Sequence, residues 1–176
     1  MGNLNRNLWA AVFAATALMI AGCGGVKDKF EKEVDNETLA VDLARQTFAG
    51  DYDLITTSEL KQLIDDGADL LIVDTMPRQQ SYRKAHIPQA VQFLFPKQLM
   101  EEWDSDLTGG QTREDFAKLL GEDKEKLIVI YCGFVKCGRS HNGALWARDL
   151  GYTNVRRYPG GIYAWKGAGH ATEAGD

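Results

Sequence analysis

Residues 127–140 read LIVIYCGFVKCGRS. The stretch opens with an uninterrupted apolar run, which is typical of a strand buried on both faces of a parallel sheet. A loop with two glycines follows directly, and residues 140–150 then carry Leu145 and Trp146 on one helical face before Gly151. The stretch therefore predicts a strand, a loop and a helix in succession, with Cys132 where the strand ends.

Patterns of the same kind alternate along the rest of the chain. Apolar runs predict further strands at residues 54–55, 70–73, 90–93 and 155–158. A capping box of Thr56 and Glu59 opens a predicted helix, and the remaining helical patterns lie at residues 80–84, 96–103, 112–121 and 162–166. Strands that alternate with helices imply an open parallel sheet with helices on both faces. We expect a single α/β domain.

The overall charge argues against a nucleic-acid partner. The 176 residues carry a formal net charge of −5, and no run of Lys and Arg provides the basic face that phosphate binding needs. A small anion remains a suitable substrate, because a local basic pocket can lie within an acidic protein. The cysteines and histidines show none of the paired spacings of a zinc site, so neither a metal nor another cofactor is expected.

The N-terminus is predicted to direct the chain out of the cytoplasm. Residues 8–20 form an apolar run after the charge of Arg6, and this run is shorter than the ~20 residues that span a bilayer. A charged start, a short apolar run and small residues after it are typical of a secretory signal. Residues 20–23, Ile-Ala-Gly-Cys, resemble a bacterial lipobox. The alternative is an ordinary signal with an incidental cysteine.

The lipobox resemblance implies cleavage before Cys23, lipidation of that cysteine, and anchoring on the periplasmic side of the outer or inner membrane. The predicted organisation is a lipoprotein-type signal peptide at residues 1–22, a tether and short helix at 23–50, and the α/β domain at 51–176. Within the second segment, the tether covers residues 24–33, and the helix covers residues 36–48 with Asn36 as its N-cap.

The loop after the predicted central strand carries the candidate chemistry. Ligands of open parallel sheets bind at the carboxyl ends of strands, where backbone N–H groups and helix N-termini stabilise anions. Such a ring of amides would lower the pKa of the Cys132 thiol and keep it as a reactive thiolate. Lys136 and Arg139 would add positive charge for a dianionic donor. The alternative is a buried structural cysteine. The candidate substrate-binding residues are Gly133, Phe134, Val135, Lys136, Cys137, Gly138 and Arg139.

Several blocks of the sequence resemble the rhodanese family. They are Ile-Val-Asp-Thr at 72–75, His-Ile-Pro-Gln-Ala at 86–90, Tyr-Cys at 131–132, Leu-Gly-Tyr at 150–152 and Tyr-Pro-Gly-Gly-Ile-Tyr-Ala-Trp-Lys at 158–166. The resemblance implies a sheet of about five strands and a persulfide mechanism. Cys132 would take sulfane sulfur from thiosulfate or polysulfide and pass it to a thiol, cyanide or protein acceptor.

The sequence departs from that family pattern near the cysteine. Many single-domain members place a basic residue five positions after it, where this chain has Cys137; Arg139 comes two positions later. The loop is therefore expected to be longer, which bears on donor preference. The usual Asp-x-Arg motif reads Asp74-Thr75-Met76, with Arg78 displaced. Asp74 and Arg78 are expected to support the surroundings of the site.

The second cysteine of the loop leaves alternatives open. Cys132 and Cys137 could form a disulfide in an oxidising compartment, and Cys137 could resolve a Cys132 persulfide by releasing sulfide. One alternative function is a dithiol oxidoreductase. Another is a thiolate phosphatase or arsenate reductase, although the spacing from Cys132 to Arg139 is one residue longer than the Cys-x5-Arg signature of the phosphatases. A non-catalytic binding module tethered at a membrane is the third.

Overall fold

The computed structural model describes residues 28–175. The predicted signal peptide and the lipidated Cys23 lie outside these residues. The five strands are β1 (Asp53–Leu54), β2 (Leu70–Asp74), β3 (Val91–Gln92), β4 (Leu127–Tyr131) and β5 (Val155–Tyr158). The helices are α1 (Lys29–Gly50), α2 (Thr57–Asp65), α3 (Arg113–Leu120), α4 (Arg139–Asp149) and α5 (Gly161–Gly167), and one turn of π-helix covers Arg78–Tyr82.

The strands form one parallel sheet in the order β1-β5-β4-β2-β3. The predicted five-stranded open parallel sheet is therefore confirmed. The chain passes from β2 to the β3 edge and returns to the centre at β4, so the strand order reverses between β2 and β4. In open α/β sheets the ligand crevice lies at such a reversal, outside the carboxyl ends of the strands.

Alternate residues of β4 face two separate cores. Ile128 and Ile130 pack into one core with residues of α3 and α4, and Val129 and Tyr131 pack into the other with residues of α2 and α5. All four side chains have no exposed surface. Burial on both faces explains the uninterrupted apolar run of this strand and confirms helices on both sides of the sheet.

The N-terminal extension differs from its prediction. Helix α1 begins at Lys29 rather than near residue 36, because Asp28 and Glu31 form a capping box that satisfies the first backbone N–H groups. Asn36, the predicted N-cap, lies inside the helix, where its side chain bonds to Glu33. Residues 29–33 are thus helical rather than tether. No helix within residues 28–175 has the length and apolarity needed to cross a membrane.

The predicted helix at residues 96–103 is absent, and α4 supplies the physical reason. The Asn142 side chain donates to the carbonyls of Pro96 and Gln98 at 2.9 and 2.7 Å and accepts from Met100 N at 3.0 Å. Trp146 Nε1 donates to the Met100 carbonyl at 3.1 Å. Backbone groups that a helix would pair internally are therefore held by side chains, so the segment stays irregular.

Candidate active site

The site begins where β2 and β4 end side by side. Asp74 and Tyr131 are paired in the parallel register, and Thr75 donates to the Tyr131 carbonyl through its backbone N at 3.0 Å and its hydroxyl at 2.7 Å. The loop of residues 132–138 follows β4, and α4 begins at Arg139. We call residues 132–138 the thiol loop. The predicted strand–loop–helix arrangement is confirmed.

The start of α5 fixes the thiol loop from one side. Ile162 N donates to the Cys132 carbonyl and Tyr163 N donates to the Gly133 carbonyl, both at 3.0 Å. This contact needs a glycine at position 161, where φ is +58° and a Cβ would lie 2.2 Å from the Cys132 carbonyl oxygen. The Gly-Gly-Ile-Tyr block of the sequence is thus a clamp on the loop.

Arg157 of β5 fixes the loop from the protein interior. The residue is 1% exposed, and its guanidinium donates to Ser140 Oγ at 3.0 Å and to the Cys137 carbonyl at 3.2 Å. It also donates to Gln46 Oε1 of α1 at 2.5 Å. Within residues 28–175, no carboxylate forms an ion pair with it. Its charge is therefore stabilised by neutral oxygens, which it orders around the loop.

A cavity of about 410 Å³ opens beside the thiol loop. Its lining includes four cationic side chains and no carboxylate: Lys84, Lys97, Lys166 and Arg139. Gly138 brings the Lys97 backbone against the loop, since a Cβ on Gly138 would lie 2.1 Å from the Lys97 carbonyl oxygen. Although the chain is acidic overall, this cavity is suited to a small anion.

The two cysteines of the loop lie in different surroundings. Both belong to the core between the sheet, α2 and α5, but Cys137 also lines the cavity and is 8% exposed, whereas Cys132 is 0% exposed. Of the expected ring of amides around Cys132, the structure shows the backbone N–H of Ser140, which together with the Ser140 hydroxyl acts to lower the pKa of this thiol. Its sulfur lies 3.3 Å from the Cys137 carbonyl oxygen, 3.9 Å from the Phe134 carbonyl oxygen and 3.2 Å from Ser140 Oγ.

The pKa values of the two thiols move in opposite directions. Burial raises the pKa of Cys132 well above its usual value, and Cys137 raises it further. The pKa of Cys137 is lowered, chiefly by a hydrogen bond from the Cys132 side chain and then by the backbone N–H groups of Arg139 and Gly133. Backbone N–H groups thus act on both thiols, that of Ser140 on Cys132 and those of Arg139 and Gly133 on Cys137.

The other predicted site residues are divided between two places. Phe134 faces the cavity, with its ring 5.4 Å from that of Tyr163. Val135 and Lys136 instead line a groove against α1, so the structure does not place Lys136 beside the anion cavity.

The two supporting residues also separate. Asp74 is completely buried and is not part of the cavity lining. Its Oδ1 accepts a hydrogen bond from Met76 N at 2.8 Å, and burial raises its pKa to about 6. Arg78 is exposed and lies over the Tyr82 ring, 5.8 Å from its centroid. Asp74 thus holds the backbone at the end of β2, while Arg78 is not part of the cavity lining.

Sequence reasoning missed five residues of the site. Lys84, Lys97 and Lys166 come from segments far apart in the chain, and each reads as an ordinary surface lysine in isolation. Arg157 and Ser140 had a weak signal: an arginine in an apolar strand pattern and a hydroxyl at the start of a helix. Within residues 28–175, no group of three or more His, Cys, Asp or Glu side chains is arranged to hold a metal.

The protein is thus an open parallel α/β domain whose central strand ends at a thiol loop beside a cationic cavity, at the edge of the sheet where ligands of such folds bind. The model of the Rhodanese-like domain family matches residues 56–168. The chain therefore belongs to the rhodanese-like family.

One curated relative supports this family membership. The chain is 30% identical over 119 residues to a Mycobacterium leprae protein described as "Putative thiosulfate sulfurtransferase"; the match covers 61% of this chain and 40% of that protein. The chain thus matches less than half of that relative's length.

Solved structures show the same fold. A thiosulfate sulfurtransferase from Pseudomonas aeruginosa superposes with a TM-score of 0.57 at 18% identity, covering 78% of this chain and 23% of that one. A polysulfide-sulfur transferase homodimer from Wolinella succinogenes superposes with a TM-score of 0.54 at 14% identity, covering 81% of this chain and 91% of that one. A Rhodopseudomonas palustris protein of unknown function is described as a possible tyrosine phosphatase. It superposes with a TM-score of 0.53 at 25% identity, covering 77% of this chain and 93% of that one.

Proposed function

We propose that this protein is a sulfurtransferase that takes sulfane sulfur from thiosulfate or polysulfide. A cysteine of the thiol loop holds the sulfur as a persulfide and passes it to a thiophilic acceptor, namely a thiol, cyanide or a protein. The family supports sulfur transfer in general. The observation that carries the specific proposal is the cavity beside the thiol loop, whose lining includes a cysteine and four cations and no carboxylate.

The cavity favours small anions as donors. Thiosulfate carries two negative charges, and Lys84, Lys97, Lys166 and Arg139 would attract it against the net negative charge of the chain. The sulfite or shortened polysulfide that leaves is also an anion, so the same cations would stabilise the charge that develops on it.

Mass spectrometry of the intact protein tests this proposal. After incubation with thiosulfate and removal of free donor, the chain should gain about 32 Da, one sulfur atom held covalently. Sulfite should appear in equal amount, and cyanide should remove the added mass as thiocyanate. A chain that never gains this mass with either donor contradicts the proposal.

A charge variant tests the role of the cavity. Replacing Lys97 and Lys166 together by Gln should raise the KM for thiosulfate about threefold or more, because two of the four attractive charges are lost. Lys118→Gln on the exposed surface of α3 is the matched control and should leave the KM unchanged.

A dithiol oxidoreductase is the second candidate, because the thiol loop holds two free cysteines and the Cys132 sulfur lies 3.3 Å from the Cys137 carbonyl oxygen. It predicts turnover with a dithiol reductant and no sulfur adduct, so the same mass measurement separates the two. A phosphatase or a non-catalytic module predicts neither the adduct nor sulfite.

We further propose an extracytoplasmic location with a lipid anchor at Cys23, supported by the Ile-Ala-Gly-Cys sequence. When the full chain is expressed in a bacterium, it should sediment with membranes, and Cys23→Ser should release it. A soluble wild-type chain contradicts the anchor.

A further inference from the structure

The Ser140 hydroxyl has a defined direction beside the Cys132 sulfur. Its oxygen accepts a hydrogen bond from Arg157 Nε at 3.0 Å and lies 3.2 Å from Cys132 Sγ, and within residues 28–175 these are its hydrogen bonds. An arginine side chain carries N–H donors and no acceptor, so the hydroxyl proton cannot point toward Arg157. The proton is therefore left to donate to the Cys132 sulfur, which can only accept once the thiol has ionised.

Arg157 is held in this orientation by the rest of its guanidinium. Its two terminal nitrogens donate to two side-chain oxygens and two carbonyls: Gln46 Oε1 at 2.5 Å, the Tyr52 hydroxyl at 3.3 Å, the Cys137 carbonyl at 3.2 Å and the Val135 carbonyl at 3.4 Å. A guanidinium is planar and its donors form a rigid fork. These acceptors therefore fix the direction from which Arg157 Nε reaches Ser140.

Arg157 also acts on a second neighbour of the Cys132 sulfur. The Cys137 carbonyl oxygen, which accepts from Arg157, lies 3.3 Å from Cys132 Sγ. The negative end of that carbonyl dipole opposes a thiolate, and the guanidinium charge offsets it. Burial raises the pKa of Cys132, and the Ser140 hydroxyl acts in the opposite direction. Arg157 thus influences the sulfur through two atoms that face it, without contacting it.

Helix α1 completes this arrangement from outside the family domain. Gln46 belongs to α1, which precedes residues 56–168 that match the family model. Its side chain is half-buried and lines a groove together with Val135 and Lys136 of the thiol loop. Tyr52 follows the helix and also lies before residue 56. The chain before the family domain therefore supplies two of the acceptors that orient Arg157.

We infer that Gln46 and Arg157 are positioning residues for the Cys132 nucleophile: they turn the Ser140 hydroxyl onto its sulfur and so stabilise the thiolate that attacks the donor. Ser140 is the member of this chain of contacts that touches the reacting atom. The inference rests on the proposed sulfur transfer and goes beyond it, because it makes helix α1 part of the active site.

The same hydroxyl serves both halves of the transfer. The Cys132 thiolate attacks the outer sulfur of thiosulfate, a new S–S bond forms, and the bond to the sulfonate sulfur breaks. Sulfite leaves with the electron pair of that bond, and Cys132 becomes a persulfide. An acceptor thiolate then attacks the outer sulfur, and Cys132 leaves as a thiolate again. A donor on the Cys132 sulfur stabilises the negative charge there before the first step and after the second.

The ultraviolet absorbance of the thiolate, followed against pH, tests the inference without any sulfur donor. In a Cys23→Ser/Cys137→Ser background, the full chain keeps Cys132 as its one thiol. Ser140→Ala should lower the acid dissociation constant of Cys132 about threefold or more, because the hydroxyl donor is lost. Ser140→Thr keeps a hydroxyl and should restore most of it. A titration that Ser140→Ala leaves in place overturns the inference.

Gln46→Met tests the part played by α1 in the same titration. It removes the acceptor of Arg157 and should lower the dissociation constant about two- to threefold. Arg45→Met, on an exposed position of the same helix, is the matched control and should change nothing. Combined with Ser140→Ala, Gln46→Met should have little further effect, because it acts through Ser140. Independent effects that simply multiply would overturn the proposed chain of contacts.

Turnover with thiosulfate separates this inference from the proposed function. In the Cys23→Ser chain, Gln46→Met should lower kcat for sulfite release about twofold or more and leave the KM for thiosulfate unchanged, because the four cations of the cavity remain. Thermal unfolding of each variant shows that it is folded. Equal kcat values in Gln46→Met and Arg45→Met overturn the inference. A parent chain that never takes up sulfur, even though its thiolate titration responds to Ser140→Ala, contradicts the proposed function instead.

Discussion

Arg157 donates through Nε to Ser140 Oγ at 3.0 Å, and the Ser140 hydroxyl oxygen in turn lies 3.2 Å from the Cys132 sulfur. A strand residue and the first turn of α4 are thus joined directly beneath the thiol loop. The guanidinium also holds the Cys137 carbonyl, which faces the same sulfur. The backbone conformation of the loop therefore depends on a charge that lies wholly inside the protein.

Replacing this charge should destabilise the fold. Arg157→Met removes the donor to Ser140, Gln46 and the Cys137 carbonyl, and it leaves the oxygens of the two buried residues, Ser140 and Cys137, without this partner. We expect the free energy of unfolding to fall by about 2–4 kcal/mol in urea titrations. Arg156→Met, on the half-buried neighbouring position, should change it by about 0.5 kcal/mol or less. Equal losses in both variants would contradict the assigned role.

The clamp at the start of α5 should not tolerate a side chain. Gly161→Ala forces a methyl group against the Cys132 carbonyl in a left-handed conformation that alanine disfavours. The loss of unfolding free energy in urea titrations should be at least about 2 kcal/mol.

The matched control for that change is Gly167→Ala at the end of the same helix. A Cβ there meets no atom within 4 Å, and the backbone φ is not positive. Thermal unfolding should show unchanged or slightly higher stability, by about 0.5–1 kcal/mol. A similar loss at both glycines would mean that the clamp does not determine the effect.

Asp74 should make the protein less stable as the pH rises through the mildly acidic range. Its pKa is raised from 3.8 to about 6, first of all by burial, so the native state holds this proton more tightly than the unfolded chain. The stabilisation is complete below about pH 4 and is lost as the pH passes 6, by about 1–3 kcal/mol. The free energy of unfolding of the parent minus that of Asp74→Asn, each measured by urea titration at several pH values, isolates this slope. A flat difference contradicts the raised pKa.

His141 should produce the opposite slope in the same range. Its Nδ1 lies 2.8 Å from the Tyr52 hydroxyl, and burial followed by the Arg157 charge lowers its pKa from 6.5 to about 4. The native state therefore excludes a proton that the unfolded chain binds. Its stabilisation is complete above pH 6.5 and is lost as the pH falls toward 4, by about 1–2 kcal/mol. The free energy of unfolding of the parent minus that of His141→Gln should rise with pH, whereas the corresponding difference for Asp74→Asn should fall.

The sheet was predictable because its strands carry strong local signals. The apolar run of β4 and the capping boxes at Thr56 and Thr112 specify elements without help from distant residues. The irregular segment after Pro96 was not predictable, since its conformation depends on Asn142, which lies far along the chain. The start of α1 was missed because Asn36 and Asp28 are both acceptable caps, and only the Glu31 partner decides between them.

The position of the thiol loop was predictable, but the environment of each cysteine was not. The sequence shows that Cys132 ends a strand; it does not show that the carbonyls of Phe134 and Cys137 turn back over the sulfur. That direction follows from the longer loop and from the buried Arg157 that anchors it. The four cations of the cavity come from separate elements, so only the fold brings them together.

Four cations line one cavity of a chain whose net charge is −5. Ionic strength should therefore influence which sulfur donor the protein captures. Distant acidic groups repel an approaching dianion and the cavity attracts it, and dissolved salt screens both effects over about 10 Å at 0.1 M. Capture of thiosulfate should therefore slow as salt is added, while an uncharged sulfur donor should be captured at a rate that salt hardly changes.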